Sequence, residues 1–249
     1  MKRNIKTLAC LICAVGMAWG LASCAQMKAA PSKGGGFVPL GKLQHDAALP
    51  FDKAWIADGI DWSAFKSIAI APVNTQYLIQ SQWWQQNLRQ GLMQKDAQAI
   101  ALYMRQQFAN AFRSDPRQRF RVVEAAGPDS VILELALTEL VPSNVVVEAA
   151  ALAAPKGSGL AISAAEQVAG TVATVAFEAR VKNAKTGQVI AMFADREQPK
   201  INPVDLKQLT WYAEAQEIIG DWANEAVKVA GMRSDEIVKP APLFSLKPW

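Results

Sequence analysis

The sequence predicts an α+β domain, a mostly antiparallel sheet of about four to five strands with two long helices packed on one face. Three observations carry that expectation. Two long stretches repeat apolar residues at three- and four-residue steps, several short stretches are apolar or alternate as strands do, and the elements follow in the order strand, helix, two strands, hairpin, helix. No regular βαβ alternation runs through the chain, so a doubly wound parallel sheet is not expected.

The elements are justified in turn. Residues 51–65 mix Phe51, Trp55, Trp62 and Phe65 with the turn formers Asp52, Asp58, Gly59 and Asp61, and read as an aromatic strap on the domain edge. Residues 66–73 hold Ile68, Ile70 and Val73, and Pro72 closes them as a strand. Residues 83–93 suit a short helix. A longer helix follows with Asp96 as its N-cap, where Ile100, Met104, Phe108, Ala111 and Phe112 make one stripe that stops at Ser114, Asp115 and Pro116. Residues 119–125 and 131–141 are the next strands, and Val131, Leu133, Leu135 and Leu137 give the second a well-buried face. Residues 171–182 and 188–197 form a hairpin around residues 183–187, with Gly187 placed for a positive φ. The last helix aligns Trp211, Ala215, Ile218, Trp222, Ala226 and Val229, and ends near Gly231.

The N-terminus decides the compartment. Lys2, Arg3 and Lys6 precede an apolar stretch of 13 residues, 8–20, which is the pattern of a signal peptide and is short for a span of roughly 20 residues. Leu21, Ala22, Ser23 and Cys24 then resemble the bacterial lipobox. That resemblance implies removal of residues 1–23 and acylation of Cys24, with palmitate or a similar chain as the anchor. The alternative is ordinary secretory cleavage after Ala25, which leaves an unanchored protein. Each buried methylene contributes about 0.8 kcal/mol, so two or three chains hold firmly where one is marginal. By resemblance to enterobacterial lipoprotein sorting, Ala25 in place of Asp implies the outer membrane, facing the periplasm.

Separating the signal changes the composition. The whole chain of 249 residues has 26 basic and 22 acidic side chains, but the segment after residue 23 keeps 23 against 22, a charge of +1. No basic stripe remains to follow a phosphate backbone, so no nucleic-acid partner is expected. Cys10 and Cys13 have the spacing of a redox pair but lie within the signal, and the mature chain retains Cys24 alone. Residues 24–50, with few large apolar groups, Gly34 to Gly36 and the single His45, read as a flexible tether with a reach of about 25 to 30 Å. Residues 51–231 form one α+β domain that carries the strap 51–65 and an apolar insertion 144–170, and 232–249 is a C-terminal tail.

The repertoire for chemistry is narrow. With one His in the tether and one acylated Cys, neither a Ser-His-Asp nor a Cys-His arrangement can be built, and His- or Cys-rich metal sites fail likewise. Neither Gly34 to Gly36 nor Gly157 to Gly159 fits a phosphate-binding loop, so both read as flexible joints. Asp52, Asp58 and Asp61 lack the regular spacing of a calcium loop. No enzyme activity, cofactor or metal is expected. Tyr77, Trp83 and Trp84 are the candidate partner contact, because adjacent residues on a helix lie about 100° apart and the two Trp cannot both enter one core. The insertion 144–170 has no aromatic residue and suits either a packed helical excursion or a mobile apolar flap.

Lys53 to Trp55, Asp61 to Lys66, Ala71 to Asn74 and above all residues 177–196 resemble a family of bacterial lipoproteins of unknown function. The likeness extends to Trp211, Tyr212, Asp221 and Trp222. More loosely, the element order is similar to the curli secretion lipoprotein, the penicillin-binding-protein activator lipoproteins and the N-terminal domain of the Tol translocation protein. Those similarities imply a module that works by contact, anchored through Cys24 and binding or scaffolding another envelope protein. The alternative expectation is a module that handles a small ligand or lipid in a groove between the strap and the insertion.

Overall fold

The computed structural model describes residues 29–80, 84, 92–141, 174–198, 213–233 and 235–242. Residues 1–23, read as a signal peptide, Cys24, Trp83 and residues 144–170, read as an insertion, lie outside them, as does most of the short helix expected at 83–93. Six strands and three α-helices are described: β1 (Lys53–Ile56), β2 (Ser67–Ile70), α1 (Gln76–Ile79), α2 (Leu92–Arg113), β3 (Arg121–Val123), β4 (Ser130–Val141), β5 (Thr174–Asn183), β6 (Val189–Glu197) and α3 (Ala213–Gly231). None of the described helices is long and apolar enough to cross a membrane.

The fold is α+β, and two features of the expected sheet are corrected. It has six strands, in the order β1-β6-β5-β4-β2-β3, and it is mixed. The sixth strand comes from the strap, whose first residues pair antiparallel with β6 from Lys53 opposite Ala194 to Ile56 opposite Ala191. The parallel part surrounds β2, which pairs in parallel with both β3 and β4. The cause is connection length. A hairpin turn forces antiparallel neighbours, whereas α2 carries the chain back along the sheet between β2 and β3 and lets both run the same way.

Side-chain alternation divides the sheet into two faces. Leu133, Leu135 and Leu137 of β4, with Phe177 and Ala179 of β5, enter one core with Met104, Phe108 and Phe112 of α2 and Ile218, Ile219 and Trp222 of α3. Helix α2 begins at least four residues before the expected cap at Asp96, and its apolar stripe is the one the sequence marks. At the β5–β6 turn Gly187 has φ +71°, and the Asn183 carboxamide accepts the Lys185 N–H at 2.9 Å, which is the local chemistry that closes this hairpin.

The opposite face is covered by the segment expected to be a tether. Residues 29–50 do not hang free here: Phe37, Val38 and Leu43 are buried in a second cluster with Ala136, Met192 and Ala194. Burying a side chain of that size contributes roughly 1.5 to 3 kcal/mol, enough for three of them to offset much of the ordering cost of a short segment. Glu178, fully buried on β5, accepts the Val38 N–H at 2.7 Å and also the Gly35 N–H. The glycines at 34–36 are therefore no flexible joint. A Cβ on Gly35 would lie 2.4 Å from Thr138 Cγ2, and Gly34 and Gly36 have φ of +94° and +92°. The tail packs as well. Val238 is buried and its N–H donates to the Ala48 carbonyl at 2.9 Å.

Candidate functional site

An apolar cavity of about 250 Å³ lies between the helical layer and the sheet. Its floor is Val131, Leu133 and Leu135 of β4 with Phe177 and Ala179 of β5, and its roof is Phe108 and Phe112 of α2 with Ala226, Val229 and Ala230 of α3. The void follows from this pairing of sizes. Phe108 and Phe112 stand one helical turn apart and reach down, while Ala226 and Ala230, also one turn apart, withdraw. Small Ala179 and Ala191 leave the sheet side equally shallow. Close-packed interiors rarely retain such a space.

The rim is built by the strap and by the turn after α2. Ile56 is 40% exposed beside the cavity, and half-buried Trp62 and Phe193 stand with it. Among the described residues Arg119 is the one charged residue of the lining. Its position is dictated locally. Pro116 cannot continue the helix, and the buried Asp115 carboxylate accepts the N–H groups of Arg117 and Arg119, each at 3.0 Å. Gln118 takes φ +46° to close this turn, a conformation that costs a non-glycine residue roughly 1 to 2 kcal/mol. The Arg119 guanidinium then donates to the Phe65 carbonyl at 3.0 Å and to the Trp62 carbonyl, and lies 4.1 Å from the centre of the Phe120 ring. Burial holds its pKa below the ordinary arginine value, though the group stays a cation.

A second buried polar group lies midway along α3. The Trp222 indole N–H donates to Asp195 Oδ2 at 2.7 Å, and the Asp52 N–H donates to Asp195 Oδ1 at 3.0 Å. Glu225, also buried, accepts the Ala241 N–H at 2.6 Å. Burial pushes its carboxyl up to about 7, helped by the charges of Asp195 and Asp221. Asp195 thus ties α3 and the start of the strap to β6, and Glu225 ties the tail to α3. Among the described residues no three His, Cys, Asp or Glu side chains gather as metal ligands do.

The residues singled out in the sequence are not brought together. Trp84 is 1% exposed, and its indole N–H donates to the Leu140 carbonyl at 2.9 Å, so it is a core residue and no contact surface. It belongs to the helical core, whereas Tyr77 is half-buried on the opposite face, edge-on to Phe37 at 5.6 Å. Trp83 and Cys24 are outside the described residues. The triplet Asp52, Asp58 and Asp61 also separates: Asp52 is buried beside Asp195, while Asp61 caps the short 3-10 helix Trp62–Ala64 by accepting the Ser63 N–H at 3.0 Å. The cavity itself was missed. Its only trace in the sequence is the pairing of alanines with phenylalanines along two facing stripes.

Fold and site together define an α+β domain with an apolar chamber under two helices and the cation of Arg119 at its rim. The chain belongs to the family described as "Protein of unknown function (DUF3313)", which matches residues 39–226, from the segment covering the second face into α3. The expected kinship with a family of unknown function is met. No curated protein matches the chain. Solved structures similar to it include the PelC dodecamer from Paraburkholderia phytofirmans, at TM-score 0.37 and 9% identity, covering 69% of this chain and 95% of that one. A point variant of the same dodecamer gives TM-score 0.34 and 9% identity, with 69% and 94% covered.

Proposed function

We propose that this chain is a lipid-anchored envelope module, facing the periplasm from the outer membrane, that binds an apolar ligand and performs no chemistry on it. The anchor is the acylated Cys24, supported by the signal and lipobox pattern of residues 1–24. The observation that carries the binding role is the cavity of about 250 Å³ with an almost wholly apolar lining. An apolar ligand lying there would make dispersion contacts with Phe108 and Phe112 above it and with Leu133 and Leu135 below. The scaffolding alternative is weakened by the burial of Trp84, the residue best suited to anchor a protein partner.

Native mass spectrometry of the protein extracted from envelopes in mild detergent tests this reading. The expected result is a one-to-one adduct with the mass of an apolar or amphiphilic small molecule. A protein that emerges only at its own acylated mass, and takes up no added alkyl ligand, would refute it.

A further inference from the structure

Three half-buried arginines in the described residues have carboxylate partners and a fourth does not. Arg105 pairs with Glu124 at 3.3 Å, Arg196 with Glu139 at 2.8 Å and Arg180 with Glu134. Arg119 has no carboxylate within 4 Å among the described residues; its described partners are the carbonyls of Trp62 and Phe65 and the face of Phe120. A guanidinium has five N–H donors in a fixed fork, and these carbonyls engage two of its nitrogens. The charge is therefore held rigidly at the rim of an apolar chamber, between two residues that line it, without the anion that its counterparts have. Holding a cation there without an acid is costly, and an arriving anion would offset that cost with short, charge-assisted hydrogen bonds.

Size narrows the occupant further. About 250 Å³ is smaller than the roughly 300 to 1,000 Å³ of pockets that enclose drug-sized ligands, too small for a two-chain lipid. Resting on the cavity reading above, we infer that the chamber takes a single-chain amphiphile with an anionic head, the alkyl chain lying under α2 and α3 and the head meeting Arg119 at the rim. The shared chemistry is an alkyl chain ending in a carboxylate or a phosphate.

The test compares ligands of one chain length on the full chain by competition against an apolar fluorophore. The probes are dodecanoate, dodecyl phosphate, methyl dodecanoate and dodecyltrimethylammonium. The expected order is anions first, the ester about tenfold weaker, and the cation weakest. Preference between carboxylate and phosphate tells which head the rim suits. Arg119→Gln should bring the anions down to the level of the ester measured on the same variant. Equal competition by anion, ester and cation in the unaltered protein overturns the inference while the cavity reading stands. Failure of all four to compete overturns the cavity reading and the inference with it. The comparison in the unaltered protein needs no variant, so a fold disturbed by loss of Arg119 cannot mask either result.

Discussion

Replacing Glu225 by Gln should make the protein less sensitive to alkaline pH, and the structure gives the size of the effect. Glu225 on α3 is 4% exposed, and its carboxyl accepts the Ala241 N–H at 2.6 Å. Burial lifts it from an ordinary 4.5 to about 7; the Ala241 N–H pulls against burial, the charges of Asp195 on β6 and Asp221 on α3 add smaller upward pushes, and Lys228 a smaller downward one. Between those two values the folded protein keeps a proton that the unfolded chain has released. The contribution is full below pH 4.5, falls as pH rises, and is gone above about 7. A displacement of that size corresponds to about 3 kcal/mol, as an upper bound. Glutamine keeps a carbonyl that can accept the Ala241 N–H and has no charge to bury. Urea unfolding followed by Trp fluorescence at pH 4.5, 6 and 8 should therefore show the variant close to the parent at the lowest pH. It should become more stable than the parent by a margin that approaches about 3 kcal/mol at the highest. Parallel stability profiles, or a margin that shrinks as pH rises, would refute the reasoning.

Gly35→Ala should cost roughly 1 to 3 kcal/mol in the same assay, because its Cβ would come within 2.4 Å of Thr138 Cγ2 and push the segment off Glu178; an unchanged midpoint would show that the segment does not hold this contact. Trp84→Ala should destabilise by about 3 to 5 kcal/mol, since it opens the core and orphans the Leu140 carbonyl, whereas an effect within about 0.5 kcal/mol would return Trp84 to the surface. Cys24→Ala should leave the protein unacylated and move it from the membrane to the soluble fraction, and a variant that still pelleted with membranes would remove the anchor from the account.

What the sequence revealed was whatever depends on local periodicity. The stripes of α2 and α3, the alternation of β4 and the Asn183 to Gly187 turn are each set by residues within a few positions of one another. What it hid depends on distant partners. Strand β1 is four residues among turn formers and becomes a strand only because β6 offers an edge to it. The parallel pairing of β2 arises from the return path through α2, which leaves no mark on β2 itself. Residues 29–50 have the composition of a linker, and the carboxylate that holds them, Glu178, is 143 positions from Gly35. The cavity is hidden for the same reason. Ala179, Ala191, Ala226 and Ala230 are ordinary on their own elements, and their missing volume adds up only when those elements meet. Arg119 reads as one basic residue among many until Asp115 turns the chain and sets it on the rim.

The claim that this domain binds an apolar ligand under α2 and α3 is tested most directly by titrating an apolar fluorophore into the full chain and into an Ala226→Phe variant. Ala226 lines the chamber, and a phenyl ring there takes up space that a ligand would fill. The account predicts one saturable site in the parent and none in the variant, with the variant at least as stable to urea because a void has been filled. Undiminished binding by an Ala226→Phe protein of full stability would contradict it.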